Sequence, residues 1–157
     1  MSRIKDRYGE KIFEIFFDKV VEVCKEAGLV KGQRIITDST LIEADASLDS
    51  MVARDTSQEI EVIEPRQDMT APFPLRKLTN KTHVSTTDPE STLAKKEGVP
   101  KKLKYKVHTS IDADSRIILD NKVTTGACHE TQIYLDRLEY IKAKYNLSIQ
   151  EVIADRG

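Results

Sequence analysis

Apolar residues at three- and four-residue steps open the chain. Ile12, Phe13, Phe16, Val20, Val23, Cys24 and Ala27 predict a helix, with Glu14, Asp18, Lys19, Glu22 and Lys25 falling mostly elsewhere. That apolar face is the one expected to cover a sheet. Gly28 supplies the stop signal, and Leu29 is placed to pack back on the last turn. Lys31-Gly32 reads as a turn, and residues 33–43 read as the first strand, through the run Ile35-Ile36-Thr37 to Asp38.

Regular pattern resumes at Lys104 with a period of two. Tyr105, Val107, Thr109 and Ile111 alternate with Lys106, His108 and Ser110, the signature of a half-exposed strand. Asp112-Ala113-Asp114-Ser115 is turn chemistry and Arg116–Thr125 is the returning strand, so 104–125 reads as a hairpin broken by Gly126. A helix is expected from about Glu130 to Tyr145, with Tyr134, Leu138, Ile141 and Tyr145 on one stripe and Asn146 ending it. Leu147–Ala154 then forms the last strand, reached by a helical crossover and therefore expected to run parallel to the first. The fold class this predicts is α/β, a mixed sheet with flanking helices.

Between Ala46 and about Pro100 the character is different. All five prolines fall there, at 65, 72, 74, 89 and 100, and Ser and Thr are frequent. A short helix is predicted around Thr56–Val62, without sustained apolar periodicity elsewhere. The segment 46–100 is expected to be a long insertion between two strands of one domain, poorly ordered without a partner.

Composition narrows the field modestly. A chain of 157 residues is one domain by length and can bury a real core. Its formal net charge of −1 argues neither for nor against nucleic acid, so only local clusters speak. Cys24 and Cys128 lie far apart and there is no recognisable secretory leader, which reads as two reduced thiols in a cytosolic protein. No apolar run approaches the roughly 20 residues needed to span a bilayer. The expectation is a soluble intracellular protein with no membrane partner.

The candidate chemistry lies at the ends of two apolar runs. Ile35-Ile36-Thr37-Asp38 and Val152-Ile153-Ala154-Asp155 each end in a carboxylate. If these strands are parallel neighbours the two acids converge, and they repel each other unless a cation lies between them. Ligands collect at the carboxyl ends of parallel strands, and paired carboxylates on shared cations form the layout of two-metal phosphoryl transfer. The competing reading of each aspartate is a capping or turn residue, and spacing alone leaves both open.

Several blocks in order carry a family resemblance. They are Arg7-Tyr8-Gly9-Glu10, Ala27-Gly28-Leu29-Val30-Lys31-Gly32, Thr37-Asp38-Ser39-Thr40-Leu41-Ile42-Glu43-Ala44, Thr87-Asp88-Pro89, Tyr105-Lys106-Val107-His108 and Ala154-Asp155-Arg156-Gly157. Together they resemble the central part of bacterial insertion-sequence transposases, the class with a long insertion after the first acidic strand. The resemblance covers nearly the whole chain.

It implies a ribonuclease-H-like fold and a DDE transposase, whose two aspartates and one glutamate hold two Mg²⁺ ions for DNA strand cleavage and transfer. Carried over by motif, Asp38 is the first aspartate and Asp155 the second. The third acid of the family lies on a helix beyond the second aspartate, past the end of these residues, and the helical DNA-binding region that usually precedes the domain is also absent. The expectation is a partial catalytic domain, truncated at its C-terminus and inactive alone, as a decayed gene or one frame of a split element. Its implied partners are DNA at the element ends and full-length transposase, in a bacterial cytoplasm. The rival readings are a non-catalytic DNA-binding or transposase-pairing regulator, and an unrelated Mg²⁺ phosphotransfer domain. Cys128-His129-Glu130 stands where relatives often carry His-Asp.

Smaller signals remain. Lys95, Lys96, Lys101, Lys102, Lys104 and Lys106 form a basic stretch opposed only by Glu97, and Lys101, Lys102, Lys104 and Lys106 are the candidate phosphate-backbone contacts. A solvated loop face is the alternative. His83, His108 and His129 have no ligand spacing, Asp112 and Asp114 read as turn formers, and Asp88-Pro89 reads as a turn initiator.

Overall fold

A computed structural model describes residues 7–9, 11–54, 78–95, 98 and 100–155. The helix predicted at Thr56–Val62 lies outside the described residues, as do Lys96 and Glu97. The chain divides into two compact units. The first comprises residues up to Thr40, Lys106–Thr124 and those from Cys128 onward; the second comprises Leu41–Tyr105 and Thr125–Ala127.

The described elements, in chain order, are α1 (Lys11–Glu26), β1 (Arg34–Glu43), β2 (Met51–Ala53), β3 (His83–Ser85), β4 (Thr92–Ala94), β5 (Lys102–Asp112), β6 (Ile118–Thr125), α2 (Tyr134–Tyr145) and β7 (Glu151–Ala154). Short 3₁₀ turns at Leu48–Ser50 and Glu130–Gln132 precede β2 and α2. The main sheet has the order β4-β5-β1-β7, with β6 also paired to β5, while β2 and β3 form a separate pair. The fold is α/β with a mixed sheet, since β7 runs parallel to β1 and β4 antiparallel to β5.

The core of the first unit gathers Val21, Val30, Ile35, Leu119, Leu138, Ile141, Tyr145 and Leu147. The α2 stripe is the expected one: Leu138, Ile141 and Tyr145 are buried and Tyr134 packs beside them. The α1 stripe is not. Phe17, Val21 and Cys24 face the core, whereas Phe16 is 69% exposed and Phe13, Val20 and Val23 are also exposed. Apolar residues occupy more than half the circumference of α1, so periodicity admits two faces and only the packed sheet selects one. Gly28, at φ +72°, ends α1: Leu29 N donates to Cys24 O and Gly28 N to Lys25 O, the paired bonds of a left-handed C-terminal cap.

One buried carboxylate joins two turns. Asp112 is fully buried at the end of β5, and it accepts from Gly32 N at 2.8 Å, Ser115 N at 2.8 Å, Ser115 Oγ at 2.9 Å and Asp114 N at 3.1 Å. Burial pushes its pKa up, and these donors outweigh burial and hold it below the ordinary value of 3.8. Gly32 is required there twice over: its φ is +62°, and a Cβ would lie 2.7 Å from Leu147 Cδ2.

In the second unit β2 and β3 pair antiparallel, Met51 opposite Ser85 and Ala53 opposite His83. The Asn80 amide pairs with Leu93 of β4 as a strand would, accepting from its N–H at 2.7 Å and donating to its carbonyl at 2.9 Å. Asp88 does more than start a turn. It accepts from Tyr105 Oη at 2.6 Å, and that bond, with burial, pushes the phenol up to about 12. The described part of 46–100 therefore carries regular structure, where sequence pattern predicts little; its strands are three residues each, too short for periodicity to register.

Candidate metal centre

Parallel pairing of β1 with β7 sets Arg34 opposite Glu151, Ile35 opposite Val152, Ile36 opposite Ile153 and Thr37 opposite Ala154. The pairing ends there: Asp38 follows Thr37 within β1, and Asp155 follows Ala154, the last residue of β7. Side chains at matched positions of parallel strands leave the same sheet face, with neighbouring strands about 4.8 Å apart. Strand β1 is long enough to reach this point because Ile35, Ile36 and Thr37 are β-branched, and Ile35 is wholly buried under the helices.

Both aspartates are exposed. Asp38 Oδ1 accepts from the N–H of Ser39 at 2.7 Å, and among the described residues neither carboxylate is ion-paired. Asp38 lies within β1, which continues to Glu43, and not at the strand end its apolar run suggested, while Asp155 follows the end of β7. Hard carboxylate oxygens of this kind fit Mg²⁺, which is held through one or two carboxylates and keeps water or phosphate oxygens for the rest of its shell. Among the described residues no three His, Cys, Asp or Glu side chains converge.

Residues that sequence pattern did not connect to the pair surround it. Asp38 borders a cavity of about 30 Å³ with Thr37, His108, Ser110, Glu130 and Arg137. Asp155 borders a neighbouring cleft with Lys106, His129, Glu130, Tyr134 and Leu135. Glu130 lines both. Its Oε1 accepts a short hydrogen bond from Ser39 Oγ and lies 3.7 Å from Lys106 Nζ. Nothing in the sequence joined Glu130 to Ser39, because 91 residues separate them.

The polar side of β5 is turned inward. His108, Ser110 and Asp112 are buried, while Val107, Thr109 and Ile111 of the apolar set are only half-buried. Alternation locates the two faces of a strand but not which one is covered. Each buried polar group has a partner: His108 Nε2 meets Thr124 Oγ1 at 2.9 Å, and Ser110 Oγ donates to Thr37 Oγ1 at 3.3 Å. Burial, aided by Lys106 and opposed by Glu130, lowers the His108 pKa and keeps the imidazole neutral at pH 7. Beside them Arg137 of α2 grips Asp120 of β6 through Nε at 2.8 Å and a second bond at 2.5 Å, a bidentate pair with Asp120 6% exposed.

The four candidate phosphate-contacting lysines divide. Lys101 is exposed and donates to Leu78 O at 2.8 Å, and Lys102 is exposed and paired with Glu43 at 2.7 Å. Lys104 is only 5% exposed, which withdraws it from contact with a duplex backbone. Lys106, in the other unit, is largely buried and faces Glu130. His83 binds Thr82 Oγ1 at 2.7 Å, and His129 caps the 3₁₀ turn and borders the Asp155 cleft. No helix of the described residues is long and apolar enough to cross a membrane.

Comparison with protein-family models, with curated proteins and with solved structures finds no match for this chain.

Proposed function

We propose that this chain is part of a ribonuclease-H-like catalytic region of an insertion-sequence DDE transposase, with Asp38 and Asp155 as ligands for Mg²⁺ and DNA as substrate. One observation carries the reading: β1 and β7 pair in parallel up to Thr37 opposite Ala154, and Asp38 and Asp155 are the residues that follow on each. The β5–β6 hairpin alongside β1, with β7 on its other side, is the strand order such a fold would need.

When bound, Mg²⁺ would polarise a phosphodiester and lower the pKa of an attacking water or 3′-hydroxyl. The residues themselves do simpler work. Asp38 and Asp155 supply hard oxygens, and repulsion between them is relieved when a cation binds. Lys101 and Lys102 offer exposed charge to a phosphate backbone, an attraction that weakens as salt rises. By the resemblance the family's third acid would lie on a helix beyond Asp155, so Asp38 and Asp155 are proposed as two of its three acids.

The test is a Mn²⁺ titration of the purified chain followed by electron paramagnetic resonance, with Asp38→Asn and Asp155→Asn beside it. Weak binding abolished by either substitution is the expected result. Binding indifferent to both would overturn the metal reading. Salt-dependent duplex binding without metal-dependent cleavage would favour the non-catalytic regulator, and Mg²⁺-dependent cleavage abolished by Asp38→Asn would favour the catalytic reading.

A further inference from the structure

Resting on the reading of Asp38 as a metal ligand, we infer that Glu130 is a positioning residue that holds Asp38 ready for a cation by fixing Ser39. The contacts run in one line. Asp38 Oδ1 takes the N–H of Ser39 at 2.7 Å, and the Ser39 hydroxyl is held by Glu130 Oε1. The direction of the Asp38 carboxylate therefore depends on where Ser39 is kept. Ser39 lies in β1 beyond the part paired with β7, where its side chain supplies a tether that the strand ladder to β7 does not.

Glu130 is itself restrained. It begins the 3₁₀ turn Glu130–Gln132, whose Gln132 Oε1 reaches back to the N–H of His129 at 3.3 Å. Lys106 of β5 stands 3.7 Å from the same Oε1 that receives Ser39, with its side chain 17% exposed, so the attraction is less screened than at an open surface. With that oxygen committed to a hydroxyl and an ammonium, Glu130 orients a ligand instead of acting as one. An aspartate freed from such a restraint must lose its rotamer freedom when the ion binds, which weakens affinity.

The experiment uses Mn²⁺ as the probe, with free ion read by electron paramagnetic resonance and folding followed by thermal melting. Glu130→Ala and Ser39→Ala are each expected to raise the Mn²⁺ dissociation constant about tenfold, as removal of a ligand's orienting partner does. The double variant should be no worse than either single one, because both cut the same line. Glu130→Gln keeps an acceptor for the Ser39 hydroxyl and should stay within about threefold of the original chain. A Gln variant as weak as the Ala variant would overturn the inference, since charge and not position would then be what matters. Undiminished binding in Ser39→Ala would also overturn it, and that variant carries the test should Glu130→Ala fail to fold. If Asp38→Asn loses Mn²⁺ while both Ala variants keep it, only the role of Glu130 falls. If the original chain binds no Mn²⁺, or Asp38→Asn binds as the original does, the metal reading falls and this inference with it.

Discussion

Asp112 and Asp38 are both aspartates on strands of the first unit, and they have opposite surroundings. Asp112 is fully buried and takes four hydrogen bonds from Gly32, Ser115 and Asp114, while Asp38 is exposed and, among the described residues, takes one, from its own neighbour. A carboxylate saturated by protein donors has no capacity left for a cation and contributes to folding instead. One that is exposed and accepts few protein hydrogen bonds contributes little to folding. The contrast shows how far residues of one type on neighbouring strands can differ in the number of donors that surround them.

The comparison can be broken first at Asp112. Asp112→Ala leaves a set of buried N–H and hydroxyl donors without their acceptor and should cost about 4 kcal/mol, measured by urea unfolding. The same carboxylate should give the fold acid sensitivity. Its folded pKa lies below the ordinary 3.8, so its contribution is complete above that value and is lost as pH falls through the folded one. A denaturation midpoint in the Ala variant that falls as steeply below pH 4 as in the original chain would refute that assignment.

Gly32→Ala is expected next, at about 2 kcal/mol, because it adds a Cβ at positive φ against Leu147 and disturbs the N–H that Asp112 accepts. A melting temperature within a degree of the original would mean the turn can shift freely. The smallest stability effect belongs to Asp38→Asn, within about 0.5 kcal/mol in metal-free buffer and of either sign, since the site is exposed and unpaired. A large destabilisation there would erase the contrast with Asp112.

What was legible in the sequence followed from local period. The β-branched run to Asp38, the α2 stripe Leu138–Ile141–Tyr145, the Gly28 stop and the Asn146 end, at φ +49°, all appear where the pattern puts them. The parallel pairing of first and last strands was also legible, through the helical crossover that α2 supplies. Asp112 was legible only as a turn former; its fourfold role depends on Gly32, 80 residues away. Glu130 was legible as the start of a helix, and its tie to Ser39 was not.

The sequence alone determined the longer elements and which residues share a side of each, because those are properties of neighbours two to four positions apart; it began the last strand at Leu147, where pairing starts only at Glu151, and missed the three-residue strands β2, β3 and β4. Tertiary structure decided which side is covered. It buried Val21 and packed Phe17 against the core in place of Phe13 and Phe16, turned His108 and Ser110 inward, and withdrew Lys104 from the surface. The reason is that burial is settled between segments distant in the chain: a polar face can be the covered one wherever every polar group on it finds a partner, and the partners of His108, Ser110 and Asp112 come from other strands and turns.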